Sequence, residues 1–411
     1  MLTGLRGWRA RERAVLGVLV AALVGSLVFY AHSAYGHGDV TLYHRYAQAF
    51  WLGSPPLRSL PAEYPPLSLA PFTLTLLPPL PDWVSVFALW MLALFVAGYA
   101  AIRRRESARA AEVAGVYLVL AGFGTLLGRF DLVPAAATVV AYWAATERRF
   151  GLAYALLAAG TLLKLYPAAL LPVVALEQYR ALEVSPLRGR PPSAVLRGVG
   201  LFVGAVAAGL AVSAALDPTG WLAPFVYNAR RPLQVESVPA TLLWLSGFVG
   251  LPVAPDHSFH SYNLVGPLAG PLSAGADLAL VGGCLGTYGQ QLTGRLGFGQ
   301  ALATCLIVLV CCSRVLSPQY LIWVLPLVAI VAGEYDPAWL AVCALTTAIF
   351  PFAYLAAGLV GPGAPASYPL AFCALIALRN VLLLTAAYRF VRRSLGSRAA
   401  APSLDTARPA A

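Results

Sequence analysis

Long apolar runs, separated by short connections that carry arginine, set the pattern of this chain. Taking about 20 apolar residues for a full membrane crossing and fewer for a half-helix, the pattern predicts up to twelve membrane segments. They fall near residues 14–31, 83–102, 112–127, 131–146, 150–164, 166–179, 198–216, 273–293, 299–313, 318–332, 338–357 and 370–390. The runs at 131–146, 150–164 and 166–179 are short enough to be re-entrant, a form tolerated where backbone lines a protein cavity. The expected fold is an all-α polytopic membrane bundle with about 10–12 membrane segments. One integral membrane domain covers residues 1–396, and residues 397–411, rich in Ala, Pro, Ser and Arg, read as a disordered cytoplasmic tail.

Two long connections interrupt the apolar runs, over about residues 32–82 and 217–272. In the first, Tyr43, Tyr46, Ala47, Phe50 and Trp51 recur at helical spacing between Val40 and Leu52, and Gly53 supplies a stop. That spacing predicts a helix lying in the interface plane, with its aromatic rings at headgroup level. Downstream, Pro65-Pro66 fixes a rigid, extended lead into a second short apolar stretch that ends near Leu80. No internal repeat stands out, which argues against a transporter built on duplicated halves.

Composition agrees with the pattern. The 411 residues are 59% hydrophobic and 11% charged, with a mean hydropathy of +0.74. A soluble domain carries about a quarter charged residues, so this surface must meet lipid. The net charge of +11 comes from arginines gathered between apolar runs: Arg103 to Arg105, Arg148 with Arg149, Arg188, Arg190, Arg197, Arg295, Arg389, Arg392 and Arg393. That distribution follows the positive-inside rule and lacks the interleaved aromatics of a nucleic-acid groove, so no nucleic-acid partner is expected. It puts both termini in the cytoplasm of a multi-pass plasma-membrane protein and both long connections outside. Arg6, Arg9, Arg11 and Arg13 lead into an apolar stretch with no small-residue cleavage site before His32, which reads as an uncleaved first span. The six cysteines all sit in apolar runs, where free thiols act as small hydrophobes, so neither a disulfide nor a metal cluster is expected.

Charges that break the basic-loop pattern converge on the outer side: Arg45, Arg58, Arg129, Lys164, Arg230, Arg231 and Arg314. Lys164 is the only lysine in the chain, and all five histidines fall in the two long connections. Polar groups stranded at membrane depth are costly and mark function. Asp39 starts the interfacial helix, where it serves either as an N-cap, which Asn would replace, or as a base for an acceptor hydroxyl, which Asn would not. Lys164, with fully apolar flanks before Tyr166-Pro167, is the leading candidate for a phosphate; snorkelling to headgroups is its other reading. Of the adjacent Arg230 and Arg231, one suits a phosphate and the other a headgroup or a structural partner. Gln234, Glu236 and Ser237 suit sugar hydroxyls or a satisfied polar turn. His257, His260 and His44 could bind hydroxyls or orient Asp39, but no H-x-x-x-H pair points to a metal. Gln319 and Tyr320 suit sugar contact or interfacial anchoring, and Glu63 and Tyr64 stay open.

The first span, then Asp39-x-x-x-Tyr43, Gly53 and Tyr64-Pro65-Pro66, resembles the opening of glycosyltransferase family 87. Three further stretches fit in order: Gly160-Thr161-Leu162-Leu163-Lys164-Leu165-Tyr166-Pro167, Arg230-Arg231-Pro232-Leu233-Gln234-Val235-Glu236-Ser237, and Ser317-Pro318-Gln319-Tyr320-Leu321. Gly128-Arg129-Phe130-Asp131 departs from it, since such proteins often carry a Gly-Gln-x-Asn-like element there. The resemblance implies a GT-C-type helical bundle and an inverting transferase with one essential carboxylate in the first outer loop, at the position of Asp39. It implies a polyprenyl-phosphate sugar as donor, mannose or arabinofuranose, and a glycolipid or lipoglycan as acceptor, with no cofactor. Lys164, Arg230, Arg231 and Arg129 would then face the donor phosphate. Tyr43, His44, Glu63, Tyr64, Gln234, Glu236, Ser237, His257, His260, Gln319 and Tyr320 would face sugar or acceptor. A lipid-linked-sugar transporter is the reading from another class.

Overall fold

The computed structural model describes residues 8–32, 38–53, 60–182, 192–359, 363 and 365–399. His37, Arg58, Arg188, Arg190 and most of the expected tail lie outside the described residues. Helices α1 (Ala10–His32), α2 (Gly38–Leu52), α3 (Leu69–Thr73), α4 (Trp83–Arg105), α5 (Ala108–Gly122), α6 (Leu132–Thr146), α7 (Phe150–Leu163) and α8 (Leu171–Ala181) form the first half. The second half holds α9 (Ser193–Leu216), α10 (Ala223–Arg230), α11 (Val238–Ser246), α12 (Ala269–Leu292), α13 (Phe298–Cys312), α14 (Leu321–Ala332), α15 (Pro337–Thr347), α16 (Tyr354–Ala356) and α17 (Leu370–Ala399). The chain is an all-α polytopic membrane protein, and each of the twelve expected segments is helical over most of its length.

Segment length sorts these helices by position. Residues 10–29, 83–105, 193–216, 337–356 and 370–396 are long and apolar enough to cross a membrane. By contrast α6, α7 and α13 have 15, 14 and 15 residues. At about 1.5 Å per residue they reach about 22 Å, short of the ~30 Å hydrocarbon core. Helices α6 and α7 pack on each other, α7 also on α9, α6 on α14, and α13 on α12 and α14, and α14 is buried from Leu321 to Ile330. Protein rather than lipid surrounds them, so their ends can be satisfied within the bundle. Long helices α9, α12 and α17 carry the exposed apolar positions Val203, Val212, Leu278, Leu285, Val381 and Leu384, a lipid-facing surface.

Three features depart from the sequence reading. Residues 338–357 are not one helix: regular geometry breaks at Phe350 (φ −117°, ψ 116°) just before Pro351, whose ring cannot sit in a helix interior without displacing the preceding turn. Helix α17 continues to Ala399, past the boundary drawn at 396. The second long connection holds a small antiparallel sheet in the order β1-β3-β2, from β1 (Leu233–Gln234), β2 (Ala254–Ser258) and β3 (Ser261–Val265). Strands β2 and β3 pair from Ala254 with Val265 to Ser258 with Ser261, leaving Phe259 and His260 as a two-residue turn.

The two ends of the bundle differ in chemistry. At one end, Arg103 pairs with Glu12 at 2.6 Å and Arg105 with Glu147 at 2.5 Å. Asp336 there takes Arg393 at 2.8 Å and Arg389 at 3.3 Å, docking the last helix. The other end carries α2, the residues from 60 to 82, and the sheet. The six cysteines lie within α12, α13, α15 and α17, five buried and Cys312 half-buried.

Candidate active site

Two cavities of about 260 and 270 Å³ open side by side at the end of the bundle that carries α2 and the sheet. They share Asp39, Arg129, His260, Ser261, Ser317 and Gln319, so they are two lobes of one site. The first lobe is closed by Ser26 and Leu27 of α1, Val84 and Ala88 of α4, Phe123 to Thr125 and Leu127 to Arg129 after α5, Gln234, Glu236, and Phe350 and Tyr354 at the α15 break. The second is closed by Glu63 to Pro65, Lys164 to Tyr166, Tyr227, Asn228, Arg231, Phe259, Tyr320 and Trp323.

Asp39 comes to the shared wall because α2 is amphipathic. Val40, Tyr43, Ala47 and Phe50 are buried one helical turn apart, and this anchors the helix with its first turn at the cavity. The Asp39 carboxylate forms an ion pair with Arg129. This gives Arg129 a carboxylate partner where a free phosphate ligand was expected. Two residues on, Asp131 is fully buried, and its Oδ1 accepts from Lys164 Nζ at 2.6 Å and from Trp323 Nε1 at 2.6 Å. One turn, Gly128 to Asp131, therefore reaches an acid and a base of opposite kinds on either side of the site.

Lys164 caps the C-terminus of α7 in extended conformation (φ −159°, ψ 133°), which turns its side chain from the helix into the second lobe. Its ammonium lies 5.0 Å from the rings of Phe130 and Trp323, and 5.8 Å from those of Tyr64 and Tyr320. Arg231 lines the same lobe, with its guanidinium 5.8 Å from the Tyr227 ring. Its neighbour Arg230 ends α10 on the exposed surface and lines neither lobe. Adjacent residues point apart, and only one of the pair reaches the cavity.

The remaining expected residues divide between cavity and scaffold. Glu63 lines the second lobe and accepts from the Tyr46 hydroxyl at 2.5 Å. Burial raises the phenols of Tyr46 and Tyr64 well above their usual range, so both stay protonated as donors. Gln319, buried, reaches both lobes with its Oε1 unpartnered, and Tyr320 stacks on Trp323 at 4.0 Å in the second. Gln234 faces the first lobe while its Oε1 accepts from Leu316 N at 3.0 Å. Glu236 borders that lobe but is committed inward: Tyr354 donates to it at 2.9 Å and Arg379 at 3.3 Å. Ser237 caps α11, accepting from Ala240 N at 3.2 Å, and lines neither lobe.

Tyr43, His44 and His257 lie outside both lobes. Tyr43 stacks on Phe72 at 4.2 Å in the core. His44 stacks on Trp83 at 4.3 Å, with Nδ1 3.3 Å from Thr75 Oγ1, so it does not orient Asp39. His257, on β2, packs 4.9 Å from Tyr262, while His260, which like Phe259 has positive φ in the turn, lines both lobes. Arg314 pairs with Asp277 and donates to Ala229 O at 3.3 Å. Among the described residues no three His, Cys, Asp or Glu side chains converge as a metal group would require. Trp323 and Tyr166, stacked at 4.3 Å in the second lobe, sit in apolar runs with no polar signal to reveal them.

A model of glycosyltransferase family 87 matches residues 63–318, more than half of the chain. That stretch includes Lys164, Arg231 and the shared wall from Arg129 to Ser317, while Asp39 precedes it. No curated protein matches the chain. The chain belongs to glycosyltransferase family 87, and it is a membrane glycosyltransferase.

Proposed function

We propose that the protein is an inverting transferase that moves mannose from a polyprenyl-phosphate donor to a glycolipid or lipoglycan acceptor, with Asp39 as general base. The observation that carries this reading is the position of Asp39 in the wall shared by two lobes, of which the second alone holds Lys164 and Arg231. The second lobe suits the donor. As the glycosyl bond breaks, negative charge grows on the phosphate, and preset cations in a site shielded from water stabilise it most. Glu63, Tyr64 and Tyr320 offer hydrogen bonds to the sugar. The first lobe suits the acceptor, since Thr125, Gln234 and Tyr262 are neutral hydrogen-bonding groups. Gln319, His260 and Ser317 reach both substrates.

In the step itself the acceptor oxygen attacks the anomeric carbon. The bond from that carbon to the phosphate oxygen breaks, and polyprenyl phosphate leaves with the electron pair. The hydroxyl proton passes to Asp39, which Arg129 orients. One carboxylate suffices for a single displacement, in contrast to the paired carboxylates of a retaining hydrolase.

The site is assigned to the outer face of the plasma membrane, with both termini cytoplasmic. Support comes from α4, which begins at the first lobe and ends at Arg103–Arg105, and from the arginine-rich end generally.

Membranes carrying the wild-type or Asp39→Asn protein, given radiolabelled polyprenyl-phosphate-mannose or polyprenyl-phosphate-arabinose, test the reading. Label should move from mannose donor to lipid acceptor with wild type, and the rate should fall by about 10²–10⁴-fold in Asp39→Asn. Transfer from the arabinose donor alone would replace the sugar and keep the mechanism. Undiminished transfer by Asp39→Asn, or movement of intact donor across the membrane with no new glycosidic bond, would refute it.

A further inference from the structure

Asp131 is fully buried at the N-cap of α6, yet its side chain makes no capping bond and it lines neither lobe. Burying a carboxylate is costly unless it is paired, and here two donors share one oxygen while Oδ2 has no partner. Both bonds converge on the oxygen that meets Lys164, so the carboxylate is aimed at that ammonium. The partner side is equally specific. Lys164 is held among aromatic faces, and cation–π attraction pulls an ammonium toward a ring without fixing the direction of its N–H bonds. An ammonium has three donors; one used on Asp131 leaves two to aim.

We propose that Asp131 is a positioning residue, acting through Lys164: its Oδ1 pins the ammonium at the wall of the second lobe so that the remaining N–H bonds face the donor phosphate. Trp323 completes the arrangement by holding the same oxygen in place. This rests on the assignment of Lys164 to the donor phosphate. It adds that the turn from Gly128 to Asp131 serves both halves of the chemistry, since Arg129 holds Asp39 from the same turn.

The test is a double-mutant cycle on the full-length protein in nanodiscs, measuring donor and acceptor KM and kcat separately. Asp131→Asn keeps the shape and removes the charge. It should raise donor KM at least tenfold, lower kcat as well because Lys164 also meets the charge that grows on the leaving phosphate, and leave acceptor KM unchanged. In a Lys164→Gln background the same substitution should change donor KM less than twofold, because Asp131 acts through Lys164. An equal effect in both backgrounds, or an unchanged donor KM in the single variant, overturns the proposal and leaves Asp131 a packing residue. Should Asp131→Asn not accumulate as folded protein, Trp323→Phe decides. The smaller ring removes the N–H to Oδ1 and trims the stacking on Tyr166 and Tyr320, so the variant is read in both backgrounds: donor KM should rise about threefold with Lys164 present and stay unchanged in Lys164→Gln, and an unchanged KM in the first or an equal rise in both overturns the proposal. If Lys164→Gln itself leaves donor KM unaltered while Asp39→Asn still abolishes transfer, the phosphate assignment fails and this proposal fails with it, but the role of Asp39 stands.

Discussion

At the scale of single residues, neighbours in sequence part company in the structure. Arg230 and Arg231 illustrate this: only Arg231 lines the second lobe. Arg231→Gln should raise donor KM about tenfold or more, since a hydrogen bond to a charged group contributes about 1.5–3 kcal/mol. Arg230→Gln should leave it within experimental error, and steady-state kinetics of the two variants side by side checks the contrast. The sequence already marked Lys164, a charge with fully apolar flanks, and Asp39, a carboxylate at the start of the interfacial helix. It could not show that Arg129 faces Asp39, or that Asp131 faces Lys164, because both contacts join residues distant along the chain. Tyr43 and His44 misled for the opposite reason. Both follow Asp39 closely in sequence, but Tyr43 sits one turn on, packed into the core against Phe72, and His44 turns to another face against Trp83.

At the scale of elements, the last long helix braces the second long connection. Arg379 and Asn380 of α17 donate to the carbonyl oxygen of Glu236 at 2.9 and 3.0 Å, and Asn380 also reaches Ser237 O and Thr241 Oγ1. Arg379 and Glu236 are 0% and 1% exposed as side chains, so solvent screens neither. Removing one partner leaves the other charge buried: Arg379→Met should destabilise by about 3–5 kcal/mol, and Arg379→Met with Glu236→Gln by clearly less. Thermal unfolding of the purified variants reads both. The β2–β3 turn is a second case. Phe259 (φ 55°) and His260 (φ 51°) occupy a conformation that favours Gly and Asn in two-residue turns, and His260 lines both lobes. His260→Gly should raise unfolding stability by up to about 1 kcal/mol while lowering transfer, a trade expected where strain is kept for a site. Helices were legible from apolar periodicity. The sheet was not, because its strands are two to five residues long and lack an alternating pattern, and Phe-His gives no turn signal.

At the scale of the whole molecule, a charged, arginine-rich end and an end with the bilobed cavity are separated by the length of α4. Hydropathy made the membrane placement legible, since a lipid-facing surface needs apolar residues along its whole height. Lateral packing was not legible: the helices that build the site, α6, α7 and α14, are apolar on every side. The orientation predicts that a Thr219→Cys variant is labelled by a membrane-impermeant maleimide in intact cells, whereas Arg148→Cys is labelled only after lysis. Both positions are exposed. The central claim is that one cavity seats a phosphorylated lipid between its cations and the carboxylate at its shared wall. A cryo-electron microscopy structure of the Asp39→Asn protein with polyprenyl-phosphate-mannose tests it most directly. The account requires the phosphate within hydrogen-bonding distance of Lys164 and the anomeric carbon turned toward residue 39. Phosphate density outside the second lobe, or a sugar turned away from residue 39, would contradict it.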